Sequence, residues 1–141
     1  MAYTTIDKPT DYFNTVTYTG NGSTQSITGV GFQPDWIWLK DRDNAYSHQL
    51  VDVVRGNTKY LNSNETASEG TASDRVTSFD SDGFSLGSYI GTNKSSSNVV
   101  SWNWKAGGTA SSNTDGSITS TVSANTTAGF SIGTYTGTGS N

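Results

Sequence analysis

The sequence contains no cysteine and only one histidine, and both facts limit the kinds of catalytic and metal-binding site that it can form. Without cysteine there is no disulfide, no thiolate nucleophile and no cysteine-ligated metal centre. A serine-hydrolase triad would require His48 to lie beside an activated serine. We expect His48 to be a structural or surface residue at the start of a strand instead.

Charge and long apolar runs are also scarce. Charged residues make up 14% of the chain, and the net charge is −4. An acidic chain without basic clusters is a poor ligand for phosphate backbones, so no nucleic-acid partner is expected. No apolar run approaches the length of a membrane span, so no membrane insertion is expected either.

Aromatic residues and strand-favouring residues are what the sequence has in quantity. Hydrophobic residues reach only 31%, yet aromatics reach 11%, with 4 Trp and 7 Tyr, so a few large rings must carry much of the burial. Threonine and the aromatics favour strands, glycine and asparagine favour tight turns, and good helix formers are rare. The composition predicts an all-β fold.

One short stretch occurs more than once. Residues 13–24 read F-N-T-V-T-Y-T-G-N-G-S-T, and residues 130–141 read F-S-I-G-T-Y-T-G-T-G-S-N. A looser copy, G-F-S-L-G-S-Y-I-G-T, covers residues 83–92. A strand followed by a glycine turn that recurs within one chain indicates modular architecture.

Alternating apolar residues and turn signals divide the chain into short strands. They are predicted at residues 12–19, 24–28, 35–40, 48–54, 59–61, 75–79, 83–89 and 99–105. Gly20-Asn21-Gly22 is a turn signal from which the strand at 24–28 can return. Residues 80–83 should form the turn of a hairpin.

The tryptophans lie in two of these strands. Trp36 and Trp38 share one face of strand 35–40, and both faces of that strand are expected to be buried. In strand 99–105, Trp102 and Trp104 alternate with Ser101 and Asn103. We expect the tryptophans to face the core and the polar residues to face solvent.

Composition along the chain suggests four segments. Residues 1–11 are a polar lead-in, 12–108 a β-sandwich module, 109–127 a Ser/Thr-rich linker or a pair of weak strands, and 128–141 the start of a second repeat or an assembly strand. We expect the natural protein to continue beyond the last of these.

The chain resembles a repeat domain of unknown function found in tail-fibre-like and structural proteins of marine tailed bacteriophages. The stretches that carry the resemblance are Y-F-N-T-V-T-Y-T-G-N-G-S-T-Q-S-I-T-G-V-G-F-Q-P-D-W-I-W-L-K (12–40), V-D-V-V-R-G (51–56), S-F-D-S-D-G-F-S-L-G (78–87) and S-W-N-W-K-A-G-G (101–108). The resemblance implies an antiparallel β-sandwich, of the concanavalin-like or jelly-roll type, in a virion protein. It implies no catalytic residues.

Ligand or subunit contacts are predicted at four aromatic residues, namely Trp36, Trp38, Tyr46 and Tyr60. Tryptophans on a sandwich face can stack on sugar rings, but packing in the core is the favoured explanation for them. Tyr46 and Tyr60 lie in polar stretches, where we expect exposed rings.

Metal and glycosidase sites have weak support. Asp80 and Asp82 resemble the start of a calcium loop, but a hairpin turn accounts for them, and Asp41, Asp43 and Asn44 form a similar weak cluster. Glu65 and Glu69 lie in a polar loop and do not form the paired carboxylates of a glycosidase. No cofactor and no enzymatic activity are predicted.

These observations predict a non-enzymatic virion structural protein, part of a tail fibre or appendage that assembles and attaches to the host surface. The expected partners are copies of itself, as a trimer, and other virion proteins. A glycan-binding module that recognises the host surface, or a capsid decoration protein, are the alternatives.

Overall fold

A computed structural model describes residues 8–139. Residues 1–7, most of the predicted lead-in, lie outside the described range, as do residues 140 and 141. A single 3-10 turn at Pro9–Asp11 precedes the first strand, and a short helix α1 covers Ile90–Asn93. Both helical segments are far shorter than a bilayer-spanning helix. The strands are β1 (Phe13–Thr19), β2 (Gln25–Thr28), β3 (Trp36–Asp41), β4 (Gln49–Asp52), β5 (Lys59–Tyr60), β6 (Gly70–Thr71), β7 (Val76–Asp80), β8 (Gly83–Leu86), β9 (Asn98–Trp104), β10 (Ser111–Asn113), β11 (Ser120–Asn125) and β12 (Phe130–Tyr135).

Two antiparallel sheets face each other. The larger has the order β1-β9-β3-β4 and the smaller the order β2-β8-β7. Their facing sides enclose a core of seven buried apolar residues, Ile27, Ile37, Leu39, Val51, Val76, Phe84 and Leu86. The predicted all-β antiparallel sandwich is thereby confirmed.

The first turn joins the two sheets and does not close a hairpin. β2 pairs with β8, and β1 pairs with β9, so the expected return of β2 alongside β1 is wrong. Within this turn, Gly20 lies against the backbone of Lys94. A Cβ at Gly20 would stand 2.3 Å from the Lys94 carbonyl oxygen. The hairpin predicted around residues 80–83 is confirmed, since β7 pairs with β8 there.

β9 has the opposite orientation to the one predicted. Ser101 and Asn103 are fully buried on the core side, while Trp102 and Trp104 lie half-buried on the outer side. The neighbouring strand β1 supplies part of the hydrogen bonding of this polar pair, while Asn103 Oδ1 has no hydrogen-bond partner among the described residues. Ser101 Oγ donates to the carbonyl of Val16, and Asn103 Nδ2 donates to that of Asn14.

A third sheet, β10-β11-β12, contacts the sandwich near the end of β9. Residues 109–127, for which the sequence left a linker or weak strands open, contain β10 and β11. Ser123 Oγ accepts from the Gly107 N–H and donates to the Gly108 carbonyl, which fixes β11 to the segment after β9. β12 pairs with β11 and is an edge strand of this sheet, as is β10 on the other side.

Candidate functional site

The outer side of the larger sheet carries a group of neighbouring aromatic rings. Trp36 and Trp38 of β3 pair in register with Trp104 and Trp102 of β9, and Phe13 of β1 pairs with Trp104 on its other side. Ring centroids are 4.6 Å apart for Trp36–Trp104, 5.6 Å for Trp38–Trp102 and 4.8 Å for Phe13–Trp104. We call these five residues the aromatic face. All four tryptophans of the chain therefore lie outside the core between the two sheets.

The third sheet covers one end of the aromatic face. The ring of Phe130 stacks on Trp36 and Trp104 at centroid distances of 6.0 and 6.1 Å, with 22° between the planes in each case. All four tryptophans are half-buried, including Trp38 and Trp102 at the other end of the face. Burial of Trp36 and Trp38 between the sheets was therefore the wrong expectation, because Ile37 and Leu39 occupy the core side of β3.

The outer side of the smaller sheet is polar by comparison. Ser26 and Ser85 are hydrogen-bonded through their hydroxyls at 3.0 Å, and Ser85 and Ser78 both donate to the carboxylate of Asp80. This is the ordinary character of a solvated sheet face. The difference between the two outer faces marks the aromatic face as the unusual one.

Tyr46 and Tyr60 are both half-buried, which corrects the expectation that their rings are exposed. The Arg75 guanidinium lies 3.4 Å from the centre of the Tyr60 ring and 3.9 Å from that of Tyr89, so the arginine is held between two aromatic rings. The Tyr60 ring also packs against the core. Tyr46 lies near Lys94, whose ammonium is 5.7 Å from the ring centre.

Asp80 and Asp82 bind separate protein groups. Asp80 accepts from two serine hydroxyls, whereas Asp82 accepts from the N–H groups of Gly29 and Gly31 at 3.0 and 2.6 Å. The hydrogen bonds from these two glycines lower the pKa of Asp82. Within residues 8–139, no three histidine, aspartate or glutamate side chains are grouped as metal ligands would be.

Four aspartates share one structural task, which is to receive pairs of backbone N–H groups. Asp82 is one of them. The Asp35 carboxylate accepts hydrogen bonds from the backbone N–H groups of Ala106 and Gly108. In the same way, Asp41 accepts from the N–H groups of Asp43 and Asn44, and Asp52 from those of Val54 and Arg55. Carboxylates are well suited to this role because they offer several acceptor sites to donors that have left a strand. In the cluster of Asp41, Asp43 and Asn44 that the sequence suggested as a weak metal site, the Asp41 carboxylate binds the backbone N–H groups of the other two residues. We call an aspartate in this role an aspartate cap.

The sequence contains the G-x-S-x-G pattern twice, at residues 83–87 and 129–133. In the nucleophile elbow this pattern places serine on a sharp turn between a strand and a helix. Here Ser85 and Ser131 lie within strands β8 and β12, so neither forms an elbow. His48 instead belongs with the larger sheet, where its Nδ1 accepts from the indole N–H of Trp38 at 2.8 Å.

A family model matches residues 8–141, a range that takes in both sandwich sheets and the third sheet. The chain belongs to the family described as Domain of unknown function (DUF7483). No curated protein and no solved structure matches it.

The V-D-V-V-R-G stretch of the DUF7483 domain builds a tight turn after β4. Asp52 accepts from the Arg55 side chain at 2.6 Å in addition to the two backbone N–H groups, and Gly56, with φ of 92°, donates back to the Asp52 carbonyl. Arg55 thereby reaches Glu69, with its Nη1 3.2 Å from the carboxylate. Asp52 is buried, so this ion pair is held in a fixed geometry.

A cleft of about 510 Å³ lies between this turn and β12. It is lined by Val54, Arg55, Lys59, Glu69, Gly133, Thr134 and Tyr135. Tyr135, 72% exposed, is the most exposed large hydrophobic residue among those described. Sequence reasoning missed this residue as a site candidate, although the repeated Y-T-G-x-G-S motif contains it.

Proposed function

We propose that this domain is a non-enzymatic structural module of a tailed-phage virion, in a tail fibre or similar appendage, and that it assembles with other copies of itself through the aromatic face. The observation that carries the proposal is the position of all four tryptophans on one outer sheet face. Large exposed or half-exposed apolar surfaces on soluble proteins usually mark interaction sites.

A second copy of the same chain is the occupant that fits this surface best. Aromatic residues, tryptophan above all, are enriched at the centres of protein interfaces, where they exclude water around strong contacts. Thr15 of β1 lies beside Trp102 and Leu50 of β4 lies beside Trp38. The charged residues at the border, Asp52 beside Trp36 and Lys40 beyond Trp38, have opposite signs. A surface with few charges carries little repulsion between identical copies.

The virion part of the proposal rests on the resemblance of residues 12–108 to repeat domains of phage tail-fibre-like proteins. Asp35, Asp41, Asp52 and Asp82 bind backbone N–H groups, Asp80 binds two serine hydroxyls and Glu69 binds Arg55, which is in keeping with a scaffold. Mass spectrometry of purified virions should detect peptides of this chain at many copies per particle. Immunogold labelling should then place the chain on the tail appendages; labelling confined to the capsid shell would favour a decoration protein.

The assembly part is tested by sedimentation velocity of the full chain at micromolar concentration. Thr15→Lys introduces a charge onto the aromatic side of β1, and we expect it to weaken association about tenfold or more. Thr28→Lys is the matched control, since Thr28 is an exposed threonine on an outermost strand, β2, of the other sheet. It should leave association unchanged.

Two results would contradict the assembly proposal. One is a wild-type chain that stays monomeric throughout the micromolar range. The other is an equal loss of association in Thr15→Lys and Thr28→Lys, because that would point to net charge and not to the aromatic face.

A further inference from the structure

The cleft between β12 and the turn after β4 contains polar and aromatic groups that the assembly role does not use. We propose that this cleft is a binding site for a neutral saccharide, with one pyranose ring lying on Tyr135 and its hydroxyl groups bound by Glu69, Arg55 and Lys59. This goes beyond the structural role proposed above, because it gives the domain a ligand.

Tyr135 has the exposure that a stacking platform needs. Its counterpart in the first copy of the repeated motif, Tyr18, packs against Phe84 and donates its hydroxyl to the Thr92 carbonyl at 2.7 Å. Burial, and secondarily the charge of Asp41, raises the pKa of Tyr18. The same motif thus buries one tyrosine and leaves the other 72% exposed at a cleft. An aromatic ring with one open face can pack against the apolar C–H side of a sugar ring.

The charged groups on the opposite side of the cleft are fixed and retain bonding capacity. The Arg55 side chain donates to Asp52, Glu69 and the Leu50 carbonyl, which uses three of its five N–H groups. Lys59 donates to Thr71 at 2.8 Å and lies 3.8 Å from Glu69. Vicinal hydroxyl groups both donate and accept, so a carboxylate beside cationic donors matches them.

The charge balance of the cleft favours a neutral ligand. Of the lining residues, Arg55 and Lys59 carry two positive charges and Glu69 carries one negative charge; Asp52, which is buried and does not line the cleft, supplies a second negative charge 2.6 Å from Arg55. An acidic sugar would meet no net positive potential here, and the whole chain carries −4.

Gly133 adds an independent argument. It lies inside β12, where glycine weakens a strand, yet a Cβ at this position would meet only Val122 Cγ2, at an ordinary contact distance of 3.8 Å. Packing therefore does not require glycine here, and its φ is not in the left-handed region. A strand glycine often marks a bulge, a tight bend, or the close approach of a ligand or another backbone, and the register between β11 and β12 has no bulge. Val54 supplies the apolar part of the lining.

The test uses the full chain, labelled with ¹⁵N, and titrates methyl β-D-glucopyranoside and methyl β-D-galactopyranoside in separate series. We expect saturable amide shifts at residues 133–135 and at Arg55, Lys59 and Glu69 with at least one of the sugars. Tyr135→Ala should weaken binding about tenfold through loss of the stacking contact. Glu69→Gln should weaken it severalfold, because charge-assisted hydrogen bonds become neutral ones.

Ile90→Ala is the matched control for the loss of an exposed apolar side chain, since Ile90 is 53% exposed and does not line the cleft. It should bind the sugar with unchanged affinity, and Tyr135→Trp should retain binding. The amide spectra of all variants report whether each is folded.

Three outcomes would overturn the site. The first is the absence of saturable shifts with both sugars. The second is an unchanged affinity in folded Tyr135→Ala. The third is a set of shifts at the cleft that depends on protein concentration without sugar, because a second copy of the chain would then occupy it.

Discussion

At the scale of single residues, buried polar side chains join segments that are distant in the sequence. Asn93 is fully buried at the end of α1. Its Nδ2 donates to Asn21 Oδ1, to the Ser23 carbonyl and to the Gly87 carbonyl, and its Oδ1 accepts from the Asn21 N–H. One side chain therefore holds the turn after β1 against the segment that follows β8.

Asn93→Ala should lower the free energy of unfolding by about 2 kcal/mol or more, because it leaves the Gly87 carbonyl and the Asn21 N–H without this partner. Urea denaturation at neutral pH measures the change. Ser95→Ala, at an exposed position in the same loop, should stay within about 0.5 kcal/mol of the wild type. Equal stability of the two variants would show that the Asn93 hydrogen bonds contribute nothing net.

His48 should remain neutral to a lower pH than an ordinary histidine, because its pKa is lowered in the folded protein. Burial, followed by the positive charge of Lys40, lowers the pKa of His48 below 6.5. Its Nδ1 accepts from Trp38, which protonation would prevent. Because the pKa is lowered in the folded state, the stability that His48 contributes is complete above about pH 6.5 and is lost as the pH falls through the folded pKa.

The measurement for His48 is an NMR titration of its ring. Lys40→Gln should raise the pKa of His48 toward 6.5, because it removes the cationic neighbour. Lys94→Gln removes the same charge at a residue that is not a cause of the shift, and it should leave the titration unchanged. A His48 pKa at or above 6.5 in the wild type would contradict the expectation.

At the scale of elements, the sequence located strands better than it oriented them. Alternation in β9 separated Trp102 and Trp104 from Ser101 and Asn103, and that separation is observed. Alternation does not state which side meets the core, and hydrophobicity gave the wrong answer. On the core side β1 offers carbonyl acceptors to the donors of the polar pair, through contacts between residues more than eighty positions apart, and Asn103 Oδ1 is left without a partner among the described residues.

The two copies of the glycine turn, at residues 20–22 and 137–139, share a backbone conformation at their last glycine but lie in different surroundings. Gly22 and Gly139 have nearly the same φ, 75° and 74°. Gly20 lies against the Lys94 backbone, whereas a Cβ at Gly137, its counterpart, would have nothing within 4 Å. The motif thus specifies the turn, and the surroundings decide whether its glycine is required.

Gly20→Ala should therefore destabilise the fold by about 2 kcal/mol or more, because its Cβ would overlap the Lys94 carbonyl. Gly137→Ala, the same substitution in the second copy, should change stability by less than about 0.5 kcal/mol. Thermal unfolding of the two variants distinguishes them. Similar losses would mean that the second turn is also packed against another part of the protein.

At the scale of the whole molecule, composition predicted the fold class but not the surfaces. Threonine, glycine and aromatic content indicated an all-β sandwich, because strand propensity and turn chemistry are local properties. The aromatic face arises from the register between β3 and β9. The cleft proposed to bind a saccharide arises where β12 lies close to the turn after β4. Neither arrangement is visible in a local pattern. The repeat that contains Tyr135 was the nearest signal to the cleft.

Two of the aspartate caps, Asp41 and Asp82, should make the folded protein less stable at acidic pH, because their pKa values are lowered in the folded state. Burial of Asp41 favours a higher pKa, but hydrogen bonds from the Asn44 side chain and from the backbone of Asp43 and Asn44 outweigh it, so its pKa is lowered. The pKa of Asp82 is lowered by the Gly31 and Gly29 N–H groups. A carboxyl whose pKa is lower in the folded state binds its proton first in the unfolded chain. Its contribution is therefore complete above about pH 4 and lost as the pH falls through the folded pKa.

Urea denaturation between about pH 7 and pH 2 should accordingly show stability falling most steeply below about pH 4. Asp41→Asn should reduce that slope, because an amide cannot gain the proton that the carboxylate gains on unfolding. Asp115→Asn changes the net charge equally, from −4 to −3, in the exposed loop after β10, and it should keep the wild-type slope. Equal slopes in both variants would assign the acid sensitivity to net charge. A shallower slope in Asp41→Asn alone would assign it to the cap, since only that variant removes a carboxylate bound by strand-end N–H groups.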